Sequence, residues 1–355
     1  MLVGAGDTQM YKYYTKAVPL PNGKRKYVRA KTKAELESKL AQLKTELGLG
    51  IDISNDSTFQ EYAEYWLEVN KRGKVSENTL HRYERMLELH IYPCIGALRI
   101  RDIRAPAIRQ VLVKCGHLAK GSQRVVRMLL RSVFGAAMDD NILLRSPVPN
   151  KLDVSGTATE ETQALLPEQE ARLLEAAKGL AVYPFVLAMM DTGMRRGEVT
   201  ALMWQDIDFD ADVIHVRRHV VTDPKGKPHL QTGAKTQAGV RDVPLTQRLK
   251  TYLLGNKAHA RSVYVFPNSK GGVYSASALS ALWEALDRRA GFHTHPHQLR
   301  HTYATKLFES GLDLKQVQYV KGHADPETTL KVYTHYRQSL RNESTIQQVK
   351  AALGG

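Results

Sequence analysis

Cysteine is almost absent: the chain of 355 residues holds only Cys94 and Cys115, twenty-one positions apart and in no Cys-x-x-Cys pair. Neither a disulfide framework nor a cysteine-bound zinc is suggested, and the usage fits a reducing cytoplasm. No apolar run approaches the roughly eighteen residues of a membrane span. The chain opens without the charged start and apolar core of a signal peptide, so a soluble intracellular protein with no membrane partner is expected. It has no glycine-rich Lys-Ser/Thr loop for a nucleotide and no acidic triad for a metal-dependent nuclease, so neither ATP nor magnesium is implied and no cofactor is expected. Acidic residues are scarce as well, 36 Asp and Glu against 51 Lys and Arg. The resulting net charge of +15 is the footprint of a protein that binds a polyanion such as nucleic acid.

The basic excess is uneven. Residues 1–150 carry 25 Lys and Arg against 15 Asp and Glu, a net +10, which leaves +5 for residues 151–355. Contact with a polyanion should therefore extend well beyond any reactive centre. A chain of this length should hold two or three domains, because single cores rarely grow past about 250–300 residues.

Reactive groups concentrate late in the chain. His297-Gln298-Leu299-Arg300-His301 is followed by Gly322-His323 and then by Tyr333. Upstream, Asp191-Thr192-Gly193-Met194-Arg195-Arg196-Gly197-Glu198 closes an apolar run and starts a new helical pattern. A tyrosine hydroxyl can split a difficult transfer into two steps through a covalent intermediate, but it is weak at neutral pH and needs activation. Guanidinium groups suit a phosphate, since their planar fork donates two parallel hydrogen bonds and stays charged. Helical neighbours point about 100° apart, so only one of Arg195 and Arg196 should face a phosphate. Glu198 is unsuited to touching one and reads as a partner that orients a basic group. His293, His295, His297 and His301 have spacings that can hold zinc. They lack an accompanying cysteine and the Glu of the zinc-protease helix motif, so no metal is expected.

These residues make the chain resemble the tyrosine recombinases, the integrase family of temperate phages and conjugative transposons. The family's Thr-Gly-x-Arg box, with Glu three residues on, stands here as Thr192-Gly193-Met194-Arg195 and Glu198, followed by Leu202, Trp204 and Asp206-Ile207-Asp208. His-x-x-Arg is His297 to Arg300, the C-terminal box is Gly322-His323 and Tyr333, and the hairpin lysine falls on Lys235, ahead of Val240-Arg241-Asp242-Val243-Pro244-Leu245. The resemblance implies a catalytic set of Arg195, Lys235, His297, Arg300, His323 and the nucleophile Tyr333. It implies cleavage through a 3'-phosphotyrosyl link, with Arg195 favoured over Arg196. The expected function is site-specific recombination that integrates and excises a mobile element. Alternatives from other classes are a type IB-like topoisomerase and a non-catalytic DNA-binding regulator.

The expected fold is mainly α with small β-sheets (α+β) and several domains. Residues 1–52 read as a basic hairpin turning at Pro21-Asn22-Gly23 plus a helix over 33–47, similar to the arm-binding module of such integrases. A helical core-binding domain should span 57–146, entered through a capping box at Thr58 to Glu61, with Phe59, Tyr62 and Trp66 in its core. Its helices are expected at 77–90, 105–115 and 122–138. A linker over 147–165, a catalytic domain over 166–338 and a tail over 339–355, exchanged in trans or packed in cis, complete the layout. Within the catalytic domain, strands are expected at 213–217 and 240–245, with helices at 276–289, 299–310 and 314–320. Candidate DNA contacts are Lys24, Arg25, Lys26, Arg82, Arg124, Arg127 and Arg131. The resemblance also implies double-stranded DNA at specific attachment sites, a homo-tetramer on that DNA, a directionality factor or host DNA-bending protein as a further partner, and a bacterial cytoplasmic location.

Overall fold

The computed structural model describes residues 13–19, 23, 25–150, 163–233 and 240–322, with Leu330, Tyr333, Thr334, Lys350, Ala351 and Leu353. The chain divides into two units, residues 1–160 and 161–355, and each has its own apolar core. The fold is mainly helical with small antiparallel sheets.

The first unit opens on β1 (Tyr14–Pro19) and β2 (Arg25–Ala30), paired antiparallel with Tyr14 opposite Ala30. Alternation along β2 exposes Arg25, Tyr27 and Arg29 and turns Lys26, Val28 and Ala30 inward, the period of two that sorts a strand's faces. Helix α1 (Lys33–Gly48) packs on this hairpin, capped by Thr32, whose hydroxyl accepts from the Glu35 amide at 3.1 Å. Helix α2 (Phe59–Asn70) starts at the expected capping box: Thr58 Oγ1 accepts from Glu61 N at 3.2 Å and Glu61 Oε2 accepts from Thr58 N at 2.8 Å. Phe59, Tyr62 and Trp66 are buried, and the Phe59 ring lies 5.3 Å from that of Phe134.

The next helix differs from expectation. Helix α3 (Glu77–Met86) does not stop near His90 but continues as a π-helical stretch, Leu87–Gly96, straight through Pro93. Leu87, Ile91 and Ile95 are fully buried on one side of that stretch. Burial of that apolar row carries the helix past a residue that lacks an amide donor and ordinarily ends one. Helices α4 (Ala105–Lys114) and α5 (Lys120–Asp139) complete the bundle.

The second unit begins with α6 (Pro167–Ala177) and α7 (Tyr183–Thr192), each with proline in its first turn, where a missing amide costs nothing. After α8 (Arg196–Thr200) come β3 (Ile207–Asp208), β4 (Val213–Val216), a hairpin of β5 (Arg218–Thr222) and β6 (Pro228–Thr232), and β7 (Arg241–Pro244). Strands β3, β4 and β7 form a three-stranded sheet in that order, with Ile214 opposite Val243. Helices α9 (Gln247–Lys257), α10 (Ala276–Ala290), α11 (Pro296–Glu309) and α12 (Leu314–Lys321) follow. A hairpin carrying Lys235 is expected between the strands at 213–217 and 240–245; β5 and β6 lie in that connection, but their own bounds, like those of α9, carry no expectation from sequence. The hairpin strands hold no fully buried residue and so show no apolar alternation. In α9 only Leu249 and Leu253 are buried, too few for a clear helical period. Most of the expected linker, and most of the tail over 339–355, lies outside the described residues.

Candidate active site

The Arg195 box is a helix end, a tight turn and a helix start in immediate succession. Helix α7 terminates at Gly193, which takes the left-handed conformation at φ +61°. A Cβ at Gly193 would lie 2.2 Å from Tyr303 Cδ1, so glycine is required for space as well as for conformation. Thr192 Oγ1 donates to Ala188 O at 2.6 Å and accepts from Met194 N at 3.2 Å, which fixes the turn. Met194 is buried, and Arg195, in extended conformation, caps α8 with a partly exposed side chain.

Glu198 then ties the box down. Its carboxylate accepts from the Arg195 amide at 2.8 Å and from Arg195 Nη1 at 2.7 Å. It also accepts from Arg241 Nη2 at 2.9 Å and Nη1 at 3.2 Å. Burial alone would raise the Glu198 pKa, but the hydrogen bonds and charge of Arg241, then Arg195, bring it down to about 2. The expected role of Glu198 as an orienter is thus observed. Arg196 is exposed.

Helix α11 brings in the second box. His295 caps it, accepting from Gln298 N at 3.0 Å through Nδ1, and His293 pairs with Asp287 at 2.7 Å. Both histidines flanking the box therefore have structural work, and among the described residues no three His, Cys, Asp or Glu side chains group as a metal site. Arg300 is 1% exposed; its Nη1 donates to Gly193 O at 2.6 Å and its Nη2 to Lys321 O. Its Nε is buried and has no hydrogen-bond partner among the described residues. Burial, then the charge of Arg195, lowers the Arg300 pKa, although a guanidinium stays protonated in any protein setting. His297, in the first turn of α11, has its pKa lowered by desolvation and then by Arg300, Lys321, His295 and Arg195.

Three guanidiniums meet at the C-terminal end of α12. Arg241 Nε donates to Val320 O at 2.6 Å, Arg300 Nη2 to Lys321 O, and Arg195 Nη2 to Gly322 O at 2.8 Å. Consecutive carbonyls at a helix C-terminus are orphan acceptors at the negative end of the dipole, and cations stabilise them. Gly322 closes the helix at φ +60°. Tyr333 packs its ring on Phe308 of α11, centroids 5.2 Å apart, against the small cluster of Ala304, Phe308 and Val317.

Arg195, His297 and Arg300 are therefore brought to one place, and Tyr333 to the far end of the same helix α11. Lys235 and His323 lie outside the described residues. Arg241 is the residue that the sequence reading missed. Its signal was present: Arg241, Val243 and Leu245 alternate on the buried face of β7 and just beyond it, and an arginine on an inward position needs a buried acceptor.

Among the candidate DNA contacts, Arg25, Arg82, Arg124 and Arg131 are exposed and Lys24 lies outside the described residues. Lys26 instead faces inward, donating to Ile53 O at 2.7 Å and pairing with Asp56 at 3.7 Å. Arg127 and Arg131 both donate to Asn150 O, at 3.4 and 2.8 Å. Among the described residues no helix is long and apolar enough to cross a membrane.

Residues 163–339 match the model of the phage integrase family, and residues 58–114 match that of the phage integrase N-terminal SAM-like domain. The tyrosine recombinase XerC of Xanthomonas campestris pv. campestris (strain B100) is 32% identical over 292 residues, 79% of this chain and 85% of its own. The transposase from transposon Tn916 of Enterococcus faecalis is 26% identical over 342 residues, 89% of this chain and 82% of its own. A solved structure of the Tn1549 transposon integrase in complex with transposon right end DNA shares the fold, with a TM-score of 0.68 at 21% identity, covering 81% of this chain and 99% of that one. The chain belongs to the tyrosine recombinases, the site-specific DNA recombinases of the phage integrase family.

Proposed function

We propose that this recombinase cuts and rejoins double-stranded DNA at specific attachment sites through a 3'-phosphotyrosyl intermediate, and that it integrates and excises a mobile element. The observation that carries the reading is the convergence of Arg195 and Arg300, from separate elements, beside Gly322. The Arg300 Nε has no partner among the described residues, and the Arg195 side chain is 43% exposed. Both therefore keep a donor for an incoming phosphate.

In this reading Tyr333 leaves its seat on Phe308 to reach Arg195, His297 and Arg300; its hydroxyl attacks phosphorus, the bond to the 5'-oxygen breaks, and the electron pair leaves on that oxygen. His297 takes the tyrosine proton and Lys235 supplies one to the 5'-oxygen, while Arg195, Arg300 and His323 hold the non-bridging oxygens. The 5'-hydroxyl of a partner strand then reverses the step, and the phosphodiester bond energy is conserved. Residues 57–146 and 166–338 grip the duplex as core-binding and catalytic domains, and 1–52 bind an accessory arm site through the outward face of Arg25, Tyr27 and Arg29. Strand exchange takes four breaks, so the working form is a homo-tetramer on DNA, assembled in the bacterial cytoplasm with a directionality factor or host DNA-bending protein. Similarity to the Tn916 transposase supports a mobile element as host.

Two differently labelled duplexes carrying the ends of the source element test this directly. Recombinant strands joining the two labels are expected, whereas relaxation of supercoils without exchange would overturn the reading in favour of a topoisomerase.

A further inference from the structure

Lys321 has no role in the chemistry described above. It is the last residue of α12 and is 3% exposed. Its own carbonyl is taken by Arg300, and those on either side by Arg241 and Arg195. Its ammonium forms no hydrogen bond or ion pair with any described residue. The cluster's carboxylate, Glu198, is already shared between Arg195 and Arg241.

The charges sense one another. Burial, then Arg300, then Arg195 lower the Lys321 pKa to about 7, and Lys321 in turn depresses His297. A buried cation among cations is costly without an anion to accompany it. Three guanidiniums and one ammonium against one carboxylate leave this place strongly positive, and an arriving phosphate is the anion that balances it.

We infer that Lys321 is a further phosphate-contacting residue of the cleavage site, its ammonium donating to a non-bridging oxygen of the scissile phosphate beside Arg195 and Arg300. This rests on the recombinase reading above. An ammonium is a compact point charge without a fixed fork, so it can fill the space between two guanidiniums that already have fixed directions. The phosphate restores the charged form of Lys321 near neutral pH.

The test uses the full chain, wild type and Lys321→Met, on nicked duplexes carrying the ends of the source element. Methionine nearly matches the lysine stem in volume, so the variant keeps its packing and loses only a buried charge. Its thermal midpoint rises near neutral pH. The sign follows from linkage: the unfolded lysine binds a proton up to its ordinary 10.5 and the folded one only up to about 7, so the gain fades as pH climbs through that window. Covalent adduct formation should slow by roughly tenfold or more, and the defect should shrink when the scissile phosphate is replaced by an uncharged methylphosphonate. Adduct rates within about twofold of wild type, or an equal defect on both substrates, would overturn the assignment. Failure of the recombinase reading would show separately, as wild type forming no adduct. In that event inorganic phosphate at fixed ionic strength decides, by raising the midpoint of wild type more than that of Lys321→Met, with equal shifts counting against the contact.

Discussion

Arg241 and Glu198 form a buried ion pair, Nη2 to Oε2 at 2.9 Å, with side-chain exposures of 1% and 6%. The pair links β7 to the start of α8, and through Glu198 it also fixes the direction of Arg195. A buried pair of this kind is weak evidence for net stability, but breaking it leaves an uncompensated charge in a dry place.

Glu198→Gln should therefore destabilise the fold by roughly 3–5 kcal/mol, read by urea denaturation at pH 7. The pH dependence has a definite sign. The folded carboxyl titrates at about 2 against an ordinary 4.5, so its contribution is fully present above the unfolded value and is lost as pH falls from 4.5 towards 2. The variant should lack that part of the acid transition, and an unchanged transition would show that the pair contributes nothing.

Gly193→Ala addresses the junction of the two boxes. The substitution forces a side chain into a left-handed turn and against Tyr303, at a strain cost of ~1–3 kcal/mol before any repacking. Because the Gly193 carbonyl accepts from Arg300 at 2.6 Å, the cleavage rate should fall further than the melting midpoint alone explains. Gly197→Ala makes a parallel case, since its Cβ would lie 2.6 Å from the Val220 carbonyl oxygen.

Arg195→Lys and Arg300→Lys keep the charge and lose the fork. Each should slow adduct formation by roughly tenfold to a thousandfold, as loss of a preorganised donor does, while DNA affinity in a mobility-shift assay stays near that of wild type. An equal fall in affinity and rate would assign these residues to binding instead of to the transition state.

His297 predicts a feature of the pH–rate profile. Desolvation and the neighbouring cations hold its pKa below the ordinary 6.5, so the neutral imidazole, the form able to take a proton, persists below that pH. Cleavage should decline only as pH falls through the lowered value, and His297→Gln should flatten that limb while lowering the plateau.

The site was legible where short, oriented motifs put reactive side chains beside helix ends, as in Thr192-Gly193-Met194-Arg195 and His297 to Arg300. It was less legible where a residue acts through partners distant in sequence. Arg241 lies 43 residues from Glu198 and 79 from Val320; its alternation with Val243 and Leu245 marks an inward face, but nothing local names the acceptors it meets there. Asp206 is similar: the motif marks it, but only the fold shows it accepting from Arg218 at 2.6 Å and from the Met203 amide at 2.9 Å. The start of α2 was readable from the capping box at Thr58 and Glu61 and the row Phe59, Tyr62, Trp66. The passage of a helix through Pro93 was not, because tertiary burial of Leu87, Ile91 and Ile95 outweighs the local signal to stop.

Covalent capture on a nicked duplex carrying the ends of the source element, followed by peptide mapping of the adduct, identifies the nucleophile. Release of a short strand at the nick prevents religation and traps the intermediate. A wild-type adduct with the 3' phosphate on Tyr333 is expected, and none with Tyr333→Phe. A wild-type adduct on another residue, or an adduct of equal yield with Tyr333→Phe, would contradict it.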